Sequence, residues 1–306
     1  MSANIRVGVD LGGTKIEVAA FDREGVERFR HRAATPAGDY QATVRTIAAL
    51  VATADSATQS LAGRLQASVG VGIPGTISPA TGLIKNANSL CLIGHALDRD
   101  LADALSRPVR LANDADCFAL SEAVDGAGAD DAIVFGAILG TGAGGGLVID
   151  KHLVRGPNAI SGEWGHNPLP WPRADEIPGP DCYCGLQGCN ETYISGTGLS
   201  RDFAAATGET ATAAEIASRS DTGDAKAGAA IERYLDRFAR ASATIINIID
   251  PHVIVLGGGL SHIARLYTDV PKLWPAYVFS DTVVTKLARP HHGDAGGVRG
   301  AAWLWP

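Results

Sequence analysis

The sequence predicts a duplicated α/β architecture, in which two domains enclose a central cleft. The first observation is that residues 5–21 read as a strand, a glycine-rich turn and a returning strand. The second is that the same order recurs at residues 132–149. Each of these hairpins opens a mixed run of helix and strand patterns. Recurrence of one order of elements in both halves is typical of an internal duplication with two layered domains.

The elements of the first half follow from apolar spacing. Apolar side chains alternate along residues 5–11, which predicts a strand, and residues 15–21 return as the second arm of the hairpin. A further strand is expected near residues 26–31. Helical spacing follows over 40–61, then a buried strand over 67–73. A helix near 96–105 and a short strand over 109–112 complete this half.

The second half repeats the pattern. A strand over residues 132–139 leads into a glycine-rich turn over 140–146 and a returning strand over 147–149. A long helix is expected over roughly 225–249. A strand over 252–256 then ends in three consecutive glycines. Element boundaries read from a sequence are uncertain by a few residues.

Composition narrows the class of protein. The chain has 306 residues, 46% hydrophobic and 19% charged, as in an ordinary globular protein with one large or two medium domains. The net charge of −7 and the lack of a basic run argue against a nucleic-acid partner. The longest apolar stretches are too short to span a bilayer, and residues 1–7 do not read as a secretion signal. We therefore expect a cytoplasmic protein without a membrane partner.

A cluster of metal-binding residue types is the most informative local feature. Three of the five cysteines, Cys182, Cys184 and Cys189, follow His166 closely in the chain. One imidazole nitrogen and three thiolates form a closed tetrahedral set that suits a structural Zn2+. The alternatives are a disulfide with a spare thiol, or incidental cysteines, although Cys-x-Cys spacing is too short for easy bridging. The polar residues Glu163, Asn167 and Glu191 stand beside the ligands, so a metal here would clamp a substrate-binding loop.

Three glycine-rich turns follow predicted strands. Glycines allow backbone N–H groups to approach phosphate oxygens closely, and a threonine hydroxyl adds a donor. None of the three matches a P-loop or a dinucleotide fingerprint, and each taken alone reads equally well as a plain hairpin turn. The predicted nucleotide-binding residues are Asp10, Gly12, Gly13, Thr14, Lys15, Gly140, Thr141, Gly142, Gly144, Gly257, Gly258 and Gly259.

Two aspartates stand where catalysis would need them. The carboxylate of Asp10 projects near the first turn, where it would hold the hydration shell of Mg2+ or simply cap the turn. Asp114 follows a strand and opens a helix, so it is either a catalytic base or an ordinary helix cap. Loops that contain Gly75 and Asn88 would bring amides and hydroxyls to the same cleft, or serve only as turns.

These motifs together resemble those of ROK-family sugar kinases. The resemblance rests on residues 10–15, 73–75, 113–115, 140–146, 163–166, 182–191 and 256–259, and it covers essentially the whole chain. Residues 161–171 and 297–306 are similar to the bacterial fructokinase branch of that family, also called mannokinase.

The resemblance implies an actin-like ATPase (ribonuclease H-like) fold with ATP and a hexose in the cleft. An N-terminal domain, residues 1–115, would hold the sugar and the base, and a final helix near 292–306 would return to it. A C-terminal domain, residues 116–291, would hold most of the nucleotide and the zinc loop. By the same analogy the protein would be a homodimer.

The resemblance also implies the reaction. The 6-hydroxyl of the hexose would attack the γ-phosphorus of MgATP, Asp114 would accept the proton, and Mg2+ and the turn amides would balance charge. The residues implied at the sugar are Gly75, Asn113, Asp114, Glu163, His166 and Glu191, and Asn88 joins them through its polar loop. His166 would give one nitrogen to zinc and turn the other toward a sugar hydroxyl.

The expected acceptor is D-fructose, with mannose or glucose as further acceptors. The alternatives are an N-acetylglucosamine or N-acetylmannosamine kinase, or a glucokinase. The family also contains sugar-responsive repressors, which carry a DNA-binding segment ahead of the first glycine turn. Nine residues precede Asp10 and the charge is acidic, so a repressor is the remote alternative.

Overall fold

The computed structural model describes residues 5–62 and 66–305, and the chain divides into two compact units. Unit 1 comprises Met1–Asp125, Leu153–Ser161 and His292–Pro306, and unit 2 comprises Gly126–His152 and Gly162–His291. The expected boundary after residue 115 differs from this division, because the helix that begins at Asp114 belongs wholly to unit 1. The parts of the domain predictions that concern residues 1–4 and 306 lie outside the described residues.

Strands of the described residues are numbered in chain order. They are Arg6–Leu11 (β1), Lys15–Phe21 (β2), Glu27–Ala34 (β3), Ser68–Ile73 (β4), Thr76–Ile77 (β5), Ile84–Lys85 (β6), Val109–Asn113 (β7), Ile133–Leu139 (β8), Ala143–Ile149 (β9), His152–Leu153 (β10), Val253–Gly257 (β11) and Lys286–Ala288 (β12).

The α-helices are numbered in the same way. They are Tyr40–Ala62 (α1), Leu97–Leu105 (α2), Asp114–Asp125 (α3), Glu191–Ile194 (α4), Gly196–Thr207 (α5), Ala213–Asp221 (α6), Ala225–Ile249 (α7), Ala264–Leu273 (α8) and Gly296–Ala302 (α9). None of them is long and apolar enough to cross a membrane, over the residues that the structure describes.

The two main sheets have the same topology. The first has the strand order β3-β2-β1-β4-β7, and the second has the order β10-β9-β8-β11-β12. In each, an antiparallel hairpin is extended by parallel strands: β1 pairs antiparallel with β2 and parallel with β4, and β8 pairs antiparallel with β9 and parallel with β11. This agreement matches the duplication expected from the sequence.

Unit 1 is built around the first sheet and helix α1. The inward side chains of β1 and β4, among them Val9 and Val71, are fully buried with Ile47 of α1 in one apolar cluster. Burial of a branched aliphatic side chain stabilises a fold by roughly 1.5–3 kcal/mol. Parallel pairing of β1, β4 and β7 brings their carboxyl ends to one edge of the sheet, and Asp10 and Asn113 lie near those ends.

The last helix, α9, belongs to unit 1. Val298 and Ala302 of α9 form a buried cluster with Ala19 and Phe21 of β2. Arg299 holds the helix by donating hydrogen bonds to both carboxylate oxygens of Asp125 at the end of α3. The helix comprises Gly296–Ala302, within the expected range of about 292–306.

Unit 2 is organised by the second sheet and helix α7. Asp224 caps α7 by accepting hydrogen bonds from the N–H groups of Lys226 and Ala227, and the helix ends in a left-handed residue at Asp250. One face of α7 is buried, including Phe238. This helix lies beneath the predicted metal loop and supplies the cations that anchor it.

The second glycine-rich turn is shorter than expected. Strand β9 begins at Ala143, because the ladder with β8 continues through the glycines, with Ile138 opposite Gly144 and Gly136 opposite Gly146. Only residues 140–142 form the turn. Gly144, expected among the phosphate-binding glycines, is instead a strand residue.

Candidate functional site

Asp10 lies near the carboxyl end of β1, with Glu17 opposite it on β2 and Gly72 opposite it on β4. Burial, followed by the neighbouring carboxylates of Asp114 and Glu17, raises the pKa of Asp10 to about 6, although Lys15 has the opposite effect. The two aspartates expected to carry the chemistry are therefore electrostatic neighbours in unit 1. A site of this kind favours a bound cation, which would stabilise the ionised form.

The first glycine turn is a tight hairpin. The Gly12 N–H donates to the Lys15 carbonyl at 3.0 Å, and the Thr35 hydroxyl donates to the Gly12 carbonyl at 2.8 Å. Lys15 pairs with Glu17 at 3.6 Å, and that carboxylate is only 2% exposed and also binds Arg30 and Arg32. Glu17 thus fixes the base of the turn, a role that the sequence alone did not reveal.

Asp114 is the first residue of α3 and is exposed. The Ala115 N–H donates to Asp114 Oδ1 at 2.8 Å and to Asn113 Oδ1 at 2.9 Å. The Asn113 side-chain amide in turn donates to the Gly75 carbonyl at 3.3 Å. The structure thus brings Gly75, Asn113 and Asp114 together at the carboxyl ends of β4 and β7. Asn88 lies on an exposed loop of the same unit.

The four predicted metal ligands converge in unit 2. Their ligand atoms all lie within 4.8 Å of one another. Cys184 Sγ lies 3.7 Å from Cys189 Sγ, and Cys182 Sγ lies 3.5 Å from His166 Nδ1. Bond lengths of about 2.3 Å to sulfur and about 2.0 Å to nitrogen in a tetrahedron place such atoms about 3.5–3.8 Å apart. The four side chains therefore fit a tetrahedral Zn2+. All five cysteines are free, all within the described residues, so the disulfide alternative does not apply.

A buried ion cluster anchors the segment between His166 and the cysteines. Glu176 accepts hydrogen bonds from Arg237 and Arg240 of α7, and all three side chains are at most 9% exposed. Arg240 also donates to the Pro170 and Trp171 carbonyls at 3.1 and 3.0 Å. Although burial opposes ionisation, the hydrogen bond from Arg240 and those from Arg173 and Arg237 lower the pKa of Glu176 to about 2. The loop is consequently fixed to a helix of the core.

Local hydrogen bonds set the position of His166. The indole N–H of buried Trp164 donates to the Gly144 carbonyl at 2.9 Å, and the Asn190 side-chain amide donates to the Trp164 carbonyl at 3.0 Å. His166 Nδ1 faces the thiols, and His166 Nε2 lies 2.9 Å from the Tyr183 hydroxyl. The nitrogen expected to face a sugar hydroxyl therefore has a protein partner. Tyr183 was missed in the sequence, where its only signal is a hydroxyl-bearing ring between two metal ligands.

Glu163 and Glu191 lie near this tyrosine. The pKa of Tyr183 is raised to about 12, first by desolvation of its hydroxyl and then by the carboxylates of Glu191 and Glu163. Glu191 also accepts a hydrogen bond from the Ala143 N–H at 2.9 Å. A Cβ at Gly142 would lie 2.5 Å from the same carboxylate, so a larger residue there would displace the Glu191 side chain from its present position. Glu191 thus contacts both the metal loop and the glycine turn.

The two glycine turns of unit 2 lie together. Gly258 has φ +77°, and a Cβ there would lie 2.5 Å from the Leu139 carbonyl, so a glycine is required for this close approach. The Gly196 N–H donates to the Gly140 carbonyl at 2.7 Å, and the Thr197 hydroxyl donates to the Thr141 carbonyl at 2.9 Å. The turn at residues 140–142 is therefore held by the segment that follows the last cysteine.

Comparison with known proteins gives the family. The sequence profile of the ROK family matches residues 6–306. An N-acetyl-D-glucosamine kinase of Yersinia enterocolitica is 39% identical over 301 residues, covering 97% of this chain and 98% of that protein.

Solved structures that are similar to the chain also belong to the ROK family. A ROK hexokinase from Thermus thermophilus is similar with a TM-score of 0.85 and 29% identity, covering 98% of this chain and 97% of that one. A ROK family glucokinase from Streptomyces griseus, solved in complex with glucose and AMPPNP, has a TM-score of 0.77 and 27% identity, covering 98% and 99%. The predicted duplicated actin-like ATPase fold of two α/β domains is confirmed. The chain therefore belongs to the ROK family, within which the relatives just named are sugar kinases.

Proposed function

We propose that the protein transfers the γ-phosphoryl group of ATP to the 6-hydroxyl of a hexose. The observation that carries this proposal is the exposed carboxylate of Asp114 at the start of α3, which is oriented by the Ala115 N–H. Asn113 and Gly75, the residues implied at the sugar, adjoin it through a hydrogen bond. Sugar kinases among the similar proteins support the same reaction class.

Asp114 acts as the base in this proposal. Phosphoryl transfer passes through a loose transition state, so alignment of the attacking oxygen contributes more than early proton removal. The Ala115 N–H donates to Oδ1 and so orients the carboxylate, which accepts the proton of the 6-hydroxyl in this proposal.

The glycine turns hold the phosphates. In unit 1 the phosphate-binding residues would include Thr14 and Lys15, which follow the turn after β1, and in unit 2 they would come from the turns at residues 140–142 and 257–259. Mg2+ would neutralise charge on the phosphate oxygens, and ionised Asp10 would hold its hydration shell. The raised pKa of Asp10 agrees with a carboxylate whose partner is a cation.

We infer that His166, Cys182, Cys184 and Cys189 hold a structural zinc ion. Their tetrahedral spacing supports this assignment. Zinc on Nδ1 would fix His166 as an Nε2–H donor. The ion would also hold Glu191, two residues beyond the last cysteine, at the sugar.

N-acetylglucosamine is the favoured acceptor. Several relatives 38–40% identical to the chain, over nearly its whole length, are N-acetyl-D-glucosamine kinases. This replaces fructose, the acceptor expected from the sequence, as the leading candidate. Fructose stays the second candidate, because residues 161–171 and 297–306 are similar to the fructokinase branch.

A hexose panel tests the proposal. Coupled ADP-release assays would compare specificity constants for N-acetylglucosamine, N-acetylmannosamine, glucose, mannose and fructose. We expect the highest value for N-acetylglucosamine, and a higher value for fructose would favour the second candidate. ADP release that no hexose accelerates would overturn the proposed function. The homodimer and the cytoplasmic location stay predictions.

A further inference from the structure

Tyr183 forms a hydrogen bond with Nε2 of His166, the ring nitrogen that would not bind the metal. Nδ1 of His166 faces the three thiols, and Nε2 lies 2.9 Å from the Tyr183 hydroxyl. The two rings meet edge to face, with centroids 5.0 Å apart and planes at 90°. A metal on Nδ1 leaves the single ring hydrogen on Nε2, so His166 donates and Tyr183 accepts.

One N–H group makes one well-aligned hydrogen bond. While the Tyr183 hydroxyl accepts it, a sugar hydroxyl cannot accept it with good geometry. The proposed role of His166 at the sugar and its observed contact with Tyr183 therefore exclude each other.

The side chain of Tyr183 is positioned so that it can rotate away from His166. Its residue is 80% exposed, although its hydroxyl reaches His166. Its backbone lies in a tight turn in which the Gly185 N–H donates to the Cys182 carbonyl at 3.0 Å and the Cys182 N–H donates to the Leu186 carbonyl at 2.8 Å. Those bonds fix the cysteines independently of the tyrosine ring. Rotation of the ring away from His166 consequently gives up one hydrogen bond and leaves the predicted metal ligands in place.

The Tyr183 hydroxyl occupies the position at His166 Nε2 that the proposed function assigns to a sugar hydroxyl.

We propose that Tyr183 competes with the hexose for His166, so that sugar binding displaces its hydroxyl from Nε2. This inference rests on the proposed function. Tyr183 would lower the affinity for every hexose, because its own hydrogen bond must be broken. It would also increase selectivity, because only a sugar with a hydroxyl at the right position replaces that hydrogen bond.

The test is the Tyr183→Phe variant, which removes the hydroxyl and keeps the ring. A typical net hydrogen bond corresponds to about a three- to tenfold change in an equilibrium constant. We expect the dissociation constant of the hexose with the highest specificity constant, measured by calorimetry with the zinc-loaded protein, to fall by about threefold or more. Tyr277→Phe, which removes a hydroxyl bonded to Asp236 at 3.0 Å elsewhere in unit 2, is the matched control and should bind like the wild type.

A second readout follows the tyrosine itself. Hexose binding to the wild type should produce the ultraviolet difference spectrum of a tyrosine hydroxyl that loses its hydrogen bond to an imidazole, and Tyr183→Phe should lack it. An unchanged or increased dissociation constant in Tyr183→Phe would overturn the competition and leave the kinase proposal intact. A wild-type protein that binds none of the five hexoses would overturn both.

Discussion

Glu191 Oε2 lies 2.9 Å from the backbone nitrogen of Ala143 and accepts its hydrogen bond. One carboxylate thereby joins the segment after the last predicted zinc ligand to the end of the turn at residues 140–142. The Gly196 N–H and the Thr197 hydroxyl reinforce this link through the Gly140 and Thr141 carbonyls. The predicted metal loop and the turn at residues 140–142 are therefore parts of one hydrogen-bonded structure in unit 2.

Two variants of Glu191 should distinguish the effect of its charge from the effect of its hydrogen bond with Ala143. In Glu191→Gln the amide oxygen still accepts from Ala143, so we expect a higher Michaelis constant for the hexose and little change for ATP. In Glu191→Ala the link is lost, and the Michaelis constant for ATP should also rise, by about three- to tenfold for one hydrogen bond. Steady-state kinetics with each substrate varied measures both. An unaltered ATP constant in Glu191→Ala would show that the link has no role in nucleotide binding.

The buried Glu176 should stabilise unit 2 strongly. Removal of one partner from a buried ion pair costs about 3–5 kcal/mol, so Glu176→Gln should lower the free energy of unfolding by that order at pH 7. Because the folded pKa of Glu176 is lowered to about 2, its contribution is present above the unfolded value and is lost as pH falls toward 2. The control is Glu232→Gln, whose exposed pair with Arg265 should contribute less than about 1 kcal/mol. Denaturant unfolding at several pH values makes the comparison, and equal losses in both variants would contradict it.

Asp10 should destabilise the metal-free protein at neutral pH. Its pKa is raised to about 6 in the folded state, so the folded protein binds the proton more tightly than the unfolded chain does. The penalty is absent below the unfolded pKa and complete above about pH 6. We expect Asp10→Asn to raise the free energy of unfolding by about 1–3 kcal/mol at pH 8 and not at pH 3.5, measured in chelator. A variant less stable than the wild type at pH 8 would contradict this prediction.

Loss of the metal should affect the sugar first. His166 is a proposed sugar ligand and Glu191 another, so Cys184→Ser or thorough chelation should raise the hexose Michaelis constant at least about tenfold before that of ATP changes. Cys91→Ser, outside the cluster, serves as the control for loss of a thiol. Zinc content and kinetics should be measured on the same samples. Metal removal that left sugar affinity intact would make the cluster purely structural.

The repeated hairpins, and the clustering of His166 with the three cysteines, could be predicted from the sequence because their signals are local. Alternation in β1 and three closely spaced cysteines need no knowledge of distant residues. The strand pattern of residues 143–146 was misread as turn, because glycines carry no side chain to show alternation, and only pairing with β8 reveals the strand.

Relations between distant residues could not be predicted in this way. The burial of Glu17 among cations from β3, and the anchoring of the metal loop by Arg240, depend on tertiary contacts across tens of residues. Tyr183 was missed because its significance lies in the 2.9 Å contact with His166, which spacing does not encode. Fructose was expected as the acceptor from residues 161–171 and 297–306, whereas relatives similar over nearly the whole chain are N-acetyl-D-glucosamine kinases.

The most direct measurement is hexose-dependent ADP release by the wild type and by Asp114→Asn, with hexose binding followed by calorimetry on the same samples. If Asp114 is the base, turnover in Asp114→Asn should fall at least ~10^2-fold, while hexose binding is largely retained. Asp116→Asn, the same change of charge two residues along α3, should turn over close to the wild-type rate. Near wild-type turnover in Asp114→Asn would contradict the assignment of the catalytic base.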